Sequence, residues 1–252
     1  MSAQLQFFGY AAYRILTEKG VNVVIDPFLN QNPVTPVKVK DLDRVDLLLV
    51  THNAYDHFGD AAEILRRDRC PVICAKDVAH NLTAVHGIDP DLVRVTIWGM
   101  EMEVAGVGVR PVESHHWSFG VTPKGELLSG PALGFIVDAG KDLRIYHPGD
   151  SAITYDMKLW GELYRPTVGL MHVTLPENSL PHMEAYRCGE LTVYEALLAS
   201  QWLGLNHVVV SHYADPQSPD VVSFTRLARE AAESRGLTAK VTVMRPGETI
   251  DL

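Results

Sequence analysis

Histidine and aspartate residues that could bind a metal ion follow several predicted strands, each at the point where its strand ends. With the preceding strand in parentheses, they are His52, Asp56 and His57 (47–50), His115 and His116 (104–112), Asp150 (143–147) and His212 (208–211). Imidazole and carboxylate groups suit zinc, manganese or iron, and two such ions can share one carboxylate. Because loops at one edge of a sheet scaffold commonly build a site together, we expect these side chains to converge on one metal centre.

The elements that must position these residues are about a dozen short strands and a few helices. The strands are apolar runs bounded by Gly, Pro, Asp and Asn, and the two longer helices lie near the end of the chain. Capping patterns predict helices that begin after Asp60, Thr192 and Ser218, and Gly204 and Gly236 stand where the last two should end. This pattern favours an α/β fold in which two mixed sheets pack face to face with helices outside.

Composition and charge exclude several classes of partner. The net charge of −9 argues against nucleic-acid binding, which needs a basic surface. No run approaches the roughly 18 apolar residues of a membrane-spanning helix, so no membrane partner is expected. The three cysteines form no metal-type pair, which favours reduced thiols and a cytoplasmic location, with Cys70 and Cys74 buried. We expect one domain over 1–252 that forms a homo-oligomer and acts on a small-molecule substrate.

Two regions could contact that substrate. The segment 176–189 contains His182 and Arg187 and has no hydrophobic periodicity, so it is either a loop over the active site or a surface excursion. His116 and Trp117 could line the substrate pocket, although a tryptophan at a strand end often serves packing instead.

The spacing of the first ligand candidates resembles that of a known family. The motif His-x-His-x-Asp-His after a buried strand is characteristic of the metallo-β-lactamase superfamily, and residues 52–57 read His-Asn-Ala-Tyr-Asp-His. A mid-chain histidine (115 or 116), a Gly-Asp-Ser turn at 149–151 and His212 then follow in the family's order.

Further segments resemble one branch of that superfamily, the lactonase-like hydrolases that include ascorbate-6-phosphate lactonase. They are Phe-Phe-Gly at 7–9, Ile-Asp-Pro-Phe at 25–28 and Tyr-His-Pro-Gly-Asp at 146–150. The pair Asn53 and Tyr55 is also similar to the His-Asn-His-Tyr-Asp-His motif of related phospholipase-D-type enzymes.

The resemblance implies a four-layer αββα sandwich (metallo-β-lactamase-like) that carries a two-metal hydrolytic centre. One zinc or manganese ion would be bound by His52, residue 54 and His115, and the second by Asp56, His57 and His212, with Asp150 bridging both. Two such ions lower the pKa of a water molecule, so that hydroxide is available as the nucleophile. Asp56 could also hold or relay the nucleophile's proton.

Position 54 departs from the family motif, because alanine cannot bind metal. Either the natural protein has a weakly loaded first site, or the chain is a variant inactivated by a His-to-Ala substitution. The intact flanking motif favours the second explanation.

The predicted activity is metal-dependent hydrolysis of a small cyclic ester, with lactones preferred, or of a related amide. The alternatives are a phosphodiesterase-type hydrolase of the same fold and a catalytically degenerate member that binds a ligand. A degenerate domain would have no physical need for Asp56, His57, Asp150 and His212 together, which argues against the last alternative.

Overall fold

The computed structural model describes residues 2–173, 189–234 and 237–252, and within them most of the chain forms strands and helices. The strands are β1 (Gln4–Gly9), β2 (Ala12–Leu16), β3 (Asn22–Ile25), β4 (Leu47–Leu49), β5 (Val72–Cys74), β6 (Val93–Val95), β7 (Met102–Val104), β8 (Val107–Val121), β9 (Leu127–Gly140), β10 (Leu143–His147), β11 (Val168–His172), β12 (His207–Ser211), β13 (Lys240–Thr242) and β14 (Thr249–Asp251). The α-helices are α1 (Tyr55–Phe58), α2 (Ala61–Asp68), α3 (Lys76–His80), α4 (Asp156–Leu163), α5 (Val193–Leu203) and α6 (Pro219–Ser234). No helix among the described residues is long and apolar enough to cross a membrane.

The strands form two seven-stranded mixed sheets. The first has the order β14-β1-β2-β3-β4-β5-β6, and the second has the order β13-β12-β11-β10-β9-β8-β7. In each sheet one half is antiparallel and the other is parallel: β3 to β6 run parallel in the first, and β10 to β13 in the second. Both sheets therefore present the carboxyl ends of several neighbouring strands at one edge.

Alternating side chains of the first sheet divide the core into two layers. In β3, Val23 and Ile25 pack between the two sheets, whereas Val24 faces α2 and α3 on the outside. The second sheet is covered on its outer side by α5 and α6, whose buried residues include Phe224. The resulting order is helices, sheet, sheet, helices, which confirms the predicted αββα sandwich. Cys70 and Cys74 are buried as expected, in the layer beneath α2.

Several elements differ from the sequence prediction, among them β8 and α4. The strand expected over 104–112 is divided: Val104 ends β7, and β8 begins at Val107 and continues to Val121. β8 pairs with β9, so that these two strands form a long hairpin. We call its distal part, residues 117–131, the hairpin arm. Helix α4 was not predicted, because Gly161 interrupts its pattern. A side chain at Gly161 would collide with the backbone of Trp202, so glycine allows α4 to pack closely on α5.

The predicted helix boundaries near the end of the chain are largely confirmed. Thr192 caps α5 by accepting a hydrogen bond from the backbone N–H of Glu195, and Gly204 ends the helix with φ of +65°. Gly236 and all of the segment 176–189 except Gly189 lie outside the described residues.

Candidate metal centre

A fully buried carboxylate after β3 anchors the loop that follows β4. Asp26 accepts hydrogen bonds from the backbone N–H and from the hydroxyl of Thr51, both at 2.8 Å. Nδ1 of His57 lies 2.7 Å from Oδ2 of the same aspartate. Because the carboxylate is an acceptor, Nδ1 of His57 carries a proton, and Nε2 is the ring atom that faces the interior of the site and could bind a metal ion.

His52 is oriented by the same threonine. Its Nδ1 lies 3.0 Å from Oγ1 of Thr51, whose own proton is donated to Asp26. Nδ1 of His52 is therefore the donor, and Nε2 is left with a free lone pair. That atom is buried and has no hydrogen-bond partner among the described residues. The rings of His52 and His57 lie side by side, with centroids 4.1 Å apart.

His116, not His115, faces the other donors, which corrects the choice made from the sequence. Nε2 of His116 lies 4.0 Å from Oδ2 of Asp150, and its Nδ1 lies 3.2 Å from the carbonyl of Gly189. The side chain of His115 is 44% exposed and lies beside Glu113 instead. The cause is an irregularity in the pairing of β8 with β9 between residues 113 and 117, which shifts the alternation of side chains.

Asp150 is positioned by the tight turn that follows β10. Gly149 adopts φ of +63°, and a Cβ there would lie 2.8 Å from the carbonyl oxygen of Leu133, so the turn requires glycine. The backbone N–H of Gly149 donates to Nδ1 of His147 (2.9 Å), and Nε2 of His147 donates to the carbonyl of Ala11 (2.9 Å). His147 thus supports the turn and does not face the cluster.

His212 and Asp56 complete the cluster. His212 follows β12 with φ of +62°, and its backbone N–H donates to the carbonyl of Tyr10 at 2.8 Å. Its Nε2 lies 3.3 Å from Oδ1 of Asp150 and 3.8 Å from Oδ2 of Asp56, which belongs to α1. Oε2 of Glu190 lies 3.8 Å from Nδ1 of His212, on the side away from the cluster.

The donors fall into two groups, each of which could hold one metal ion. The first group is His52, His116 and Asp150, and the second is Asp56, His57 and His212; within each, the ligand atoms lie within 4.8 Å of one another. Asp150 touches both groups, because its Oδ2 lies 3.2 Å from Nε2 of His57 and its Oδ1 lies 3.3 Å from Nε2 of His212.

Divalent metal ions fit this donor set. Three of its buried atoms have no hydrogen-bond partner among the described residues, namely Nε2 of His52, Nε2 of His57 and Oδ1 of Asp150. Such atoms are costly to bury unless an ion binds them. Ligands about 2 Å from a shared ion lie up to about 4 Å apart, which is close to the separations found here.

The electrostatic field of the cluster also suits a cation. Burial lowers the pKa of His57, but the carboxylates of Asp150 and Asp26 outweigh burial and hold that pKa well above its ordinary value. Burial, reinforced by the neighbouring His57, holds the pKa of His52 well below its ordinary value. Burial also lowers the pKa of His116. Neutral imidazoles at these two positions are the form that binds metal.

Ala54 lies at the N-terminus of α1 and borders the cleft in front of the donors. Its methyl group offers no ligand atom, so the first group consists of His52, His116 and Asp150 within the described residues.

A second buried carboxylate supports the loop from behind, and no local pattern in the sequence indicates its role. Asp77, in α3, accepts hydrogen bonds from the side-chain amide of Asn53 (2.8 Å) and from the hydroxyl of Ser118. Asn53 also accepts from the amide of Asn81 (3.0 Å), and its backbone N–H donates to Ser118 (3.1 Å). This network ties the loop after β4 to the base of the hairpin arm.

A cleft of about 940 Å³ opens in front of the donors. Asp56, His116 and Asp150 lie on its floor, and Trp117 is among the residues that border it, as predicted for a pocket residue. The other two predicted substrate contacts, His182 and Arg187, lie outside the described residues. Asp26 belongs to the Ile-Asp-Pro-Phe segment that resembles the lactonase-like branch, but nothing in its local pattern shows that it contacts His57.

Comparisons with known proteins agree with this geometry. Residues 21–213 match the family model for the beta-lactamase superfamily domain. A UPF0173 metal-dependent hydrolase from Rubrobacter xylanophilus is 32% identical over 98% of this chain and 96% of its own length. One from Pyrococcus horikoshii is 33% identical over 99% of each chain.

Among solved structures, Igni18, a metallo hydrolase from Ignicoccus hospitalis, is 27% identical. It aligns with a TM-score of 0.78 over 100% of this chain and 99% of its own. The fold, the cluster of donors and these relatives lead to the same conclusion: the chain belongs to the metallo-β-lactamase superfamily and is one of its metal-dependent hydrolases.

Proposed function

We propose that this chain hydrolyses small cyclic esters (lactones), or related amides, with two divalent cations of zinc or manganese held by the two groups of donors. The observation that carries the proposal is the position of Asp150. Its buried carboxylate lies within 3.3 Å of His57 and His212 and 4.0 Å from His52 and His116. A carboxylate shared in this way supports a bridging role between two cations.

The cations would supply the electrophilic part of the chemistry, lowering the pKa of water toward neutrality and polarising the carbonyl group of the substrate. Asp56 borders the cleft, and its Oδ2 lies 3.9 Å from His57 and 3.8 Å from His212. This supports a role in which Asp56 accepts a proton from the attacking water and returns it to the alkoxide that leaves as the ring opens. Water and lactone together yield a hydroxy acid.

We further propose that the first group binds its cation more weakly than the second. Position 54 provides no donor, so the cation there depends on His52, His116 and the shared Asp150. This holds whether alanine is the natural residue or the product of a substitution that removed activity.

Cleavage of a phosphodiester is the alternative within the same fold, and its motivation was the pair Asn53 and Tyr55. The side chain of Asn53 is engaged with Asp77 and Asn81, which leaves it less suited to recognise a substrate. Ring opening of an ester is therefore the better supported reaction.

Two adjacent histidines offer a matched test of the proposal. His116→Ala and His115→Ala would be prepared alongside the unmodified chain, loaded with zinc or manganese, and assayed on a panel of lactones. We expect His116→Ala to lower turnover by about 10–100-fold or more, since loss of a ligand should cost at least as much as loss of a residue that supports one. His115→Ala should leave turnover unchanged. Equal losses would contradict the assignment of His116, and an inert panel, even with Ala54→His, would contradict lactone hydrolysis.

A further inference from the structure

An exposed apolar stripe on the hairpin arm faces the cleft. Trp117, Phe119 and Val121 alternate along β8, and their exposed fractions are 50%, 46% and 67%. All three border the cleft. The intervening Ser118 is buried, as expected when successive side chains of a strand point to opposite sides. Apolar side chains left exposed together beside a catalytic centre indicate a surface that binds a ligand.

The stripe begins next to the metal ligands. The ring centroids of His116 and Trp117 are 6.2 Å apart, and those of Trp117 and Phe119 are 5.6 Å apart with their planes at 88°. A substituent only a few atoms long, attached to a ring held at the donors, can therefore reach Trp117. A longer one would continue along Phe119 and Val121 toward the tip of the arm.

Aromatic side chains also border the cleft on the side of α1. Phe28, Tyr55 and Phe58 belong to its lining, and the rings of Phe28 and Tyr55 meet edge to face at 5.7 Å. Tyr55 is 75% exposed, so most of its surface is available to a ligand. Flat apolar groups are thus offered by both α1 and the hairpin arm, which suits an alkyl chain or an aromatic ring.

The charges that border the cleft disfavour an anionic substituent. No lysine or arginine is found among the described residues that line it, whereas Asp56, Asp60, Asp150 and Glu190 do line it. Cations bound by the donors would offset Asp56 and Asp150, but Asp60 belongs to neither group of donors. A phosphate or carboxylate on the substrate would meet this like charge, and no lysine or arginine lies on the described walls to pair with it.

We propose that the cleft selects cyclic esters or amides that carry an uncharged alkyl or aryl substituent, which packs on Trp117, Phe119 and Val121. The proposal rests on the proposed function and narrows it to one class of substrate. It separates this chain from the phosphorylated sugar lactone that gives the similar branch its name.

A series of γ-lactones with side chains of increasing length tests this proposal. Each added methylene that the cleft buries should raise kcat/KM by up to about fourfold. The double variant Trp117→Ala/Phe119→Ala should flatten this dependence, so that kcat/KM no longer rises with the length of the side chain. Tyr194→Ala is the control, since Tyr194 is also exposed (66%) but does not belong to the lining of the cleft. It should keep the dependence intact.

Two further arms separate this inference from the proposed function. A lactone whose chain ends in a carboxylate should be a poorer substrate than its uncharged counterpart by about tenfold or more.

Calorimetry with alkyl γ-lactams on the zinc-loaded protein reports binding without turnover, and affinity should rise with chain length. If lactams show that rise but no lactone is opened, the proposed function fails and the selectivity of the cleft stands. Opening of lactones at rates independent of chain length, or a preference for the anionic forms, would overturn the inference.

Discussion

The two groups of donors differ in how firmly the protein fixes them. In the second group, His57 is fully buried, and Asp26 holds its Nδ1 at 2.7 Å while also accepting two hydrogen bonds from Thr51. In the first group, the one hydrogen bond of the His116 side chain among the described residues joins its Nδ1 to the carbonyl of Gly189 at 3.2 Å, and Ala54 offers no ligand atom. His57 is thus fixed by a buried carboxylate, whereas His116 borders the cleft, and alanine stands at position 54 where the family motif has histidine.

This difference suggests a division within the scaffold between residues that hold a metal ion and residues that also adjoin the substrate. The half around His57 is built on the ends of β3 and β4, where Asp26 and His57 are fully buried. His116 belongs to the same strand as the apolar stripe, so the proposed metal site and the proposed substrate surface are adjacent there. We therefore expect substitutions near His57 to affect metal binding and stability together, and those near His116 to affect mainly substrate turnover.

Removal of the residue shared by both halves should have the largest effect. Asp150→Ala takes a carboxylate away from both groups at once, so both cations lose a ligand. We expect lactone turnover to fall by at least about 100-fold and metal content to fall toward zero. Elemental analysis of the purified variant measures the second quantity directly. A variant that retains the full metal content of the unmodified chain would show that Asp150 does not bridge.

Substitution of Asp26, the buried carboxylate that anchors the loop after β4, should have the next largest effect. Asp26→Asn replaces one acceptor oxygen by an amide that donates, yet the side chain faces three donors from Thr51 and His57. Zinc affinity should fall by about 10–100-fold. The free energy of unfolding should fall by about 3 kcal/mol or more, since a buried pair is broken. Chelator competition and denaturant unfolding measure the two losses.

Asp43→Asn is the matched control for that experiment, because Asp43 is 81% exposed and pairs with Arg14 at the surface. It should change the free energy of unfolding by less than about 1 kcal/mol. If Asp26→Asn behaves like Asp43→Asn, the anchor does not fix the His57 half.

A substitution in the hydrogen-bond network of Asp77, behind the loop that follows β4, should have the smallest effect. Asp77→Asn weakens the contacts to Asn53 and Ser118, which join the loop after β4 to the hairpin arm. We expect a loss of about 1–3 kcal/mol in the free energy of unfolding. We also expect a larger KM for substituted lactones, with zinc affinity in the His57 half preserved. A loss of zinc affinity as great as that of Asp26→Asn would erase the distinction between the two halves.

The sequence predicted the architecture and most of the cluster because those features have local causes. The apolar runs before His52, Asp150 and His212 are buried strands, and short turns at their ends leave little freedom for where the next side chain lies. Thr192 and Gly204 carry the cap chemistry of α5 in their own residue types. Such features depend on neighbours in the chain and can be identified without coordinates.

What the sequence did not predict depends on partners that are distant in the chain. Whether His115 or His116 faces the cluster is decided by the irregular pairing of β8 with β9, which no local pattern encodes. The polar run around His115 hides the continuation of β8, because the backbone of His115 bonds to Ser151 and Ala152, which are distant in the chain. Asp26 and Asp77 act through residues 24 to 41 positions away, so their roles emerge only when the strands and helices pack.

The central claim is that the two groups of donors differ in their affinity for metal. The most direct test is a zinc titration of the unmodified chain and of Ala54→His, each in competition with a chelator of known affinity. We predict two zinc-binding steps for the unmodified chain, and the affinity of the weaker step should be at least about tenfold lower than that of the tighter step. In Ala54→His the weaker step should tighten, the tighter step should change little, and lactone turnover should rise. Two equally tight steps in the unmodified chain, unaltered by the histidine, would contradict the division of the centre into a firmly held half and an incomplete one.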